Sequence, residues 1–212
     1  MDFAEKDKVS SDDELFETAR GNIPAERKKG FSVQEIVFVA ICAAAGLLTS
    51  AVMPLVAHVP VYGIIQVVVS VQTSLFLSLA LYKVRKRGTV LFFAICYAII
   101  QLFMAPVMFF MSIISAIVIE LIALAVKAGL RSNGMRYLSS ALFIPVQMPI
   151  LWVYYKAMTK ELPEAYAGSS IGMVIGMIAV VIALNVLGTV LGNLIGRELE
   201  KAGALKGKKK NA

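Results

Sequence analysis

TVLFFAICYAIIQLFMAPVMFFMSIISAIVIELIALAV, residues 89–126, runs for 38 positions with a single charged side chain, Glu120. As one α-helix rising about 1.5 Å per residue it would be roughly 57 Å long, about twice the ~30 Å hydrocarbon core of a bilayer. It has to turn back on itself. Pro106 is the natural place, because proline lacks the N–H a helix interior needs and disfavours helix in the residue before it. The run is therefore read as two spans, 89–104 and 107–127. Outward from it lie apolar stretches of single-span length: 33–53, ended by Pro54; 61–82, stopped by Lys83, Arg85, Lys86 and Arg87; 136–155; and 170–194. The fold expected is all-α, a polytopic membrane protein with six transmembrane helices.

Composition agrees. Of the 212 residues 58% are hydrophobic and 17% charged, and the charges gather in the tails and a few short clusters. The net charge of +7 does not signal nucleic acid, since the basic clusters flank apolar spans instead of lying among aromatics on a polar domain. With six spans, 19 of the 21 lysines and arginines fall on one face; only Lys156 and Lys160 fall on the other. The cytoplasmic side accumulates such residues, so the N and C termini are both expected there, in a multi-pass protein of a prokaryotic cell membrane. The division expected is a polar cytoplasmic tail over 1–31, a six-helix transmembrane domain over 32–197 and a basic cytoplasmic tail over 198–212. The first 30 residues are polar and show no cleavable signal peptide. Cys42 and Cys96 lie inside apolar runs and His58 is the sole histidine, so no disulfide framework and no metal site is expected.

Helices in lipid associate through close packing, and small residues at four-residue spacing mark the contact faces. Ala40 and Ala44, with Gly46 nearby, form one such stripe; Gly188, Gly192 and Gly196, preceded by Gly168, Gly172 and Gly176, form another. Packing inside the bundle and docking of a partner are both open for them. Polar residues at membrane depth face the bundle interior or a wet cavity. Glu120 shares a low-volume face with Ser112, Ala116 and Ala123, and either bonds Asn185 or a facing backbone group, or meets a ligand. Nearer the expected outer face stand Gln66, Tyr97, Gln101, Gln147, Trp152, Tyr154 and Tyr155, with His58 in the first outer loop. Rings offer flat stacking surfaces and glutamines paired donors and acceptors, a set that suits a heterocycle with amide-like edges. An interfacial aromatic belt and interhelical hydrogen bonds are the competing readings. Gly168-Ser169-Ser170-Ile171-Gly172 spells G-x-S-x-G, but without a strand-to-helix turn or a histidine base the match is accidental.

The segment Phe38-Val39-Ala40-Ile41-Cys42-Ala43-Ala44, the basic turn Lys83 to Gly88 and the ending 191–203, LGNLIGRELEKAG, occur in an order that resembles the substrate-binding S components of energy-coupling factor transporters. Among these the chain is most similar to an integral membrane group of the MptD type, over about residues 31–205. The resemblance implies a protein that binds a vitamin or related micronutrient on the outer side and carries it inward. Its partners would be a transmembrane coupling protein and two cytoplasmic ATPases. It implies docking on the coupling protein through an A-x-x-x-A stripe, here Ala40 and Ala44. It also implies a substrate site in the outer halves of the later helices and the outer loops, at the depth of Gln101, Gln147, Trp152 and Tyr155; Gln66, Tyr97, Glu120, Asn185 and His58 are further substrate-site candidates from their polarity and position. No G-x-x-x-x-G-K-[ST] loop is present, so energy would come from partners. No catalytic residue and no cofactor is expected. The alternatives are an ion-coupled carrier acting alone, with Glu120 as its proton site, and an intramembrane enzyme using Glu120, or Ser170 with His58.

Overall fold

The structure is a computed structural model and describes residues 30–56, 59, 63–104, 106–125, 130, 132–158 and 171–203. Ser32 opens the first helix, α1 (Val33–Thr49), with a reciprocal cap: its hydroxyl accepts from the Glu35 N–H while the Glu35 carboxylate accepts from the Ser32 N–H. At the other end the chain tightens into a 3₁₀ turn, Ser50–Val52, and one helical turn, Met53–Val56. Pro54 therefore does not end the segment as its sequence position implies. It occupies the first turn of a new helix, where a missing N–H costs nothing.

The next helix, α2 (Ile64–Lys83), begins only after Gly63, whose φ of +77° is a left-handed conformation that side chains disfavour. A basic turn leads into α3 (Thr89–Met104), and α4 (Pro106–Ala125) starts on the proline expected to reverse the chain. Helix α5 (Asn133–Met158) carries Pro145 and Pro149 in its interior, and α6 (Ile171–Lys201) runs about two turns past the apolar stretch that defines it in the sequence. By length and composition α2, α4, α5 and α6 are each able to cross a membrane; α1 and α3 are shorter apolar helices.

The packing order follows side-chain volume. Helix α2 touches α1, α3, α5 and α6, and the sequence of contacts α1–α3–α4–α5–α6 closes back on α2. Its most extensive partner is α6. Gln66, Ser70, Thr73, Ser74 and Ser78 of α2 are buried, while large apolar residues such as Ile41, Leu48, Ile175, Leu187 and Leu194 face outward. A small polar seam inside and an apolar exterior is the arrangement lipid requires, since lipid does not drive apolar groups inward.

Gly188, Gly192 and Gly196 make the α2–α6 approach possible. A Cβ on Gly196 would stand 2.7 Å from the Tyr82 ring, and one on Gly188 or Gly192 would collide with the carbonyl oxygen of Val71 or Leu75. The seam is then tied polar to polar: Ser78 Oγ donates to the Thr189 carbonyl at 3.0 Å, and Asn193 Nδ2 donates to Ser78 Oγ at 2.6 Å. Gly172 is exposed, and nothing stands within 4 Å of where a Gly176 side chain would begin, so the glycine seam is confined to the second half of α6. Gly168 lies outside the described residues.

At the end where α2 passes into α3, the basic turn is anchored residue by residue. Lys86 Nζ bonds Glu35 at 2.6 Å, Lys83 Nζ lies 4.2 Å over the Phe38 ring, and Arg85 stacks on Tyr82.

Candidate functional site

Three helices bring polar side chains together near the end of the bundle where α3 passes into α4. Gln66 from α2, Tyr97 and Gln101 from α3, and Gln147 from α5 line one cavity, together with Ile65, Val69, Met108 and Ile144. Each is placed by helical spacing. Gln66, Val69 and Thr73 fall on one face of α2, Tyr97 and Gln101 lie one turn apart on α3, and Ile144 and Gln147 are three apart on α5.

Neighbouring side chains fix two of these groups. The Tyr97 ring is 2% exposed and stacks parallel to Phe93, centroids 6.0 Å apart. Its hydroxyl sits 3.3 Å from Thr73 Oγ1 and 3.5 Å from Ser50 Oγ, and Ser50 in turn accepts from Gln72 Nε2 at 2.9 Å. Gln101 Oε1 accepts from Ser112 Oγ at 2.7 Å across the α3–α4 turn, which orients its amide. Gln147 differs: its Nε2 is buried and has no hydrogen-bond partner among the described residues. A buried amide donor left unpaired costs about 1–3 kcal/mol, so this nitrogen is a place where a ligand acceptor would be strongly favoured.

Among the described residues the lining carries no ionisable carboxylate, amine or guanidinium. In this conformation the cavity offers about 20 Å³ to the centre of a water molecule, enough for one water. Small-molecule sites enclose roughly 300–1,000 Å³. A vitamin-sized ligand would require α5 or the adjoining segments to move outward.

Other residues singled out in the sequence lie elsewhere. Glu120 is at the opposite end of the bundle, where its Oε1 accepts from the Val90 backbone N–H at 3.1 Å. It satisfies one of the orphan donors that open α3 and complements that helix's dipole. Asn185 is buried on α6 and donates to the Val181 carbonyl at 2.8 Å; it does not line the cavity. Trp152 is exposed on the outside of α5. His58 and the side chain of Tyr155 lie outside the described residues, as does Ser170. Ala44 is exposed and Ala40 half-buried, on an α1 face that also presents Val37, Ile41 and Leu48. Ser50, Gln72 and Thr73, which hold Tyr97, are absent from the sequence reading. Thr73 was within reach of it, one helical face below Gln66.

Comparison with solved structures finds the same fold in a protein described as an S-component of an ECF transporter. The TM-score is 0.59 and the identity 17%, over 83% of this chain and 89% of that one. No curated protein matches the sequence. A family model described as a hypothetical bacterial integral membrane protein, Trep_Strep, matches residues 32–201, which is most of the chain and all six long helices, and the protein accordingly belongs to that bacterial integral membrane family.

Proposed function

We propose that this protein is the substrate-binding S subunit of an energy-coupling-factor importer for a vitamin or related micronutrient. One observation carries the reading: in a fold shared with an S-component, three carboxamides and a tyrosine from three different helices converge on one cavity, and the buried nitrogen of one of those amides has no partner among the described residues. All six long helices cross the membrane in this reading, with both termini in the cytoplasm, which puts the cavity in the outer half. The MptD-type grouping rests on sequence resemblance alone.

The chain binds and does not catalyse. Ligand enters from outside, pairs with Gln66, Gln101 and Gln147, and stacks on Tyr97. The outward face of α1 with Ala40 and Ala44 then meets a transmembrane coupling protein. That protein and two cytoplasmic ATPases supply the energy, because this sequence has no phosphate-binding loop.

Mass spectrometry of small molecules retained after gentle purification tests the assignment. A single retained species, lost from both Gln101→Leu and Gln147→Leu variants that still fold, is the expected result. Equal retention by the wild type and both variants would sink it.

A further inference from the structure

Arg136, in the first turn of α5, is 4% exposed. Its Nη2 donates to Asn133 Oδ1, but its Nε and Nη1 are buried with no hydrogen-bond partner. The guanidinium carbon lies 5.5 Å from the centroid of the Tyr82 ring, and the same ring carries the Arg85 guanidinium at 5.8 Å. Two cations thus share one ring and repel each other. Among the described residues no carboxylate forms an ion pair with either, since the ion pairs there join Lys86 to Glu35 and Lys201 to Glu198. The nearby acid Glu200 is engaged by the Tyr82 hydroxyl, 2.5 Å away.

A buried guanidinium without a counter-charge is unfavourable, and its unpaired N–H groups add to the cost. The ring quadrupole offsets only part of this. The start of α5 is also the positive end of a helix dipole, which makes the place worse for a cation and better for an anion. A phosphate group supplies what is missing: negative charge and acceptor oxygens that fit the guanidinium fork.

We infer that Arg136 and Arg85 form a site for the phosphate of an anionic phospholipid. The location selects a lipid. The pair stands where α2 ends and α5 begins, in a stretch of chain that also carries Lys83 and Arg87, and in the six-span reading this is the height of the headgroups. The neighbouring α5 residues Tyr137 and Leu138 are exposed, 39% and 44%, and offer apolar surface to the acyl chains directly below. Arg85 is exposed and meets the headgroup first. The Arg136 side chain then turns past Tyr82 to share the phosphate.

The full chain, purified in a neutral detergent and stripped of lipid, is offered phosphatidylglycerol, phosphatidylcholine or inorganic phosphate. Native mass spectrometry counts retained lipid and thermal melting reports stability. The expected result is one retained phosphatidylglycerol and a rise of several degrees in Tm, with neither effect from phosphatidylcholine or inorganic phosphate. Arg136→Gln loses both effects, Arg85→Gln weakens retention about tenfold, and Arg136→Lys keeps part of it. Should Arg136→Gln fail to fold, the exposed Arg85→Gln carries the test. An equal response to both lipids, a full response to inorganic phosphate, or undiminished retention in the arginine variants overturns the assignment. So does a variant that keeps the lipid but loses a partner protein, since the anion would then be a protein carboxylate.

Discussion

Gln147 places a buried amide nitrogen, unpartnered among the described residues, where three other polar groups converge. Replacing it by leucine, of similar volume and without polar atoms, removes an unsatisfied donor. The ligand-free protein is therefore expected to be as stable or more stable, by about 1 kcal/mol, while ligand affinity falls at least tenfold. Thermal melting and ligand titration of Gln147→Leu check the two signs separately. Glycine gives a second contrast. Gly192→Leu drives a side chain into the Leu75 carbonyl and is expected to lower stability by about 3 kcal/mol or prevent folding, whereas Gly176→Leu meets open space and leaves melting unchanged. The glutamines were legible in the sequence because a carboxamide in an apolar run is conspicuous. Ser50 was not, because a short hydroxyl in a span ordinarily bonds its own helix, as Ser50 Oγ does to the Gly46 carbonyl.

At the scale of the helix, Pro106 settled how many elements there are, since the run of 38 apolar residues admits no other fold-back point. Helix ends were harder to read. The sequence stops α6 where hydrophobicity stops, yet Arg197, Glu198, Glu200 and Lys201 sustain it to Lys201, with a Lys201–Glu198 ion pair of 2.6 Å. Glu120 belongs to this scale too, because it serves the first turn of α3. Glu120→Ala is expected to cost about 1 kcal/mol, Glu120→Gln less, and both are expected to keep substrate uptake. A proton-coupled carrier would lose uptake in Glu120→Gln, so transport assays decide between the two. For α1, Ala40→Trp with Ala44→Trp is expected to leave melting nearly unchanged, because that face is not filled by the bundle, while copurification of a coupling protein is lost. Intact complex and unchanged uptake would refute the docking role.

For the whole molecule, an interior seam of serine, threonine, asparagine and glycine beneath an apolar exterior is what makes the sequence one of a membrane bundle, and the charge asymmetry predicts its orientation. Cysteines introduced at His58 and at Lys206 test this: the first is expected to react with an impermeant thiol reagent added to intact cells, the second only after lysis. The opposite pattern would reverse the bundle and put the cavity on the cytoplasmic side. Which helices pack together was not legible, because the choice of α2 for α6 depends on three glycines meeting two carbonyls and a ring, a match of shapes that no periodicity reports.

Pro145 and Pro149 stand two residues to either side of Gln147. Neither has an N–H to give, so the carbonyls of Ala141 and Pro145 lack their usual helical donor, and α5 has two rungs missing around Gln147. The part of α5 beyond Pro145, Gln147 included, can change direction at these rungs with fewer helical bonds to break. In the proposed reading, bending this one helix widens the cavity for a nutrient, and the same bend swings Gln147 itself. Recognition and opening become one motion, so amide hydrogen exchange in residues 146–152 should slow on ligand binding more than anywhere in α2.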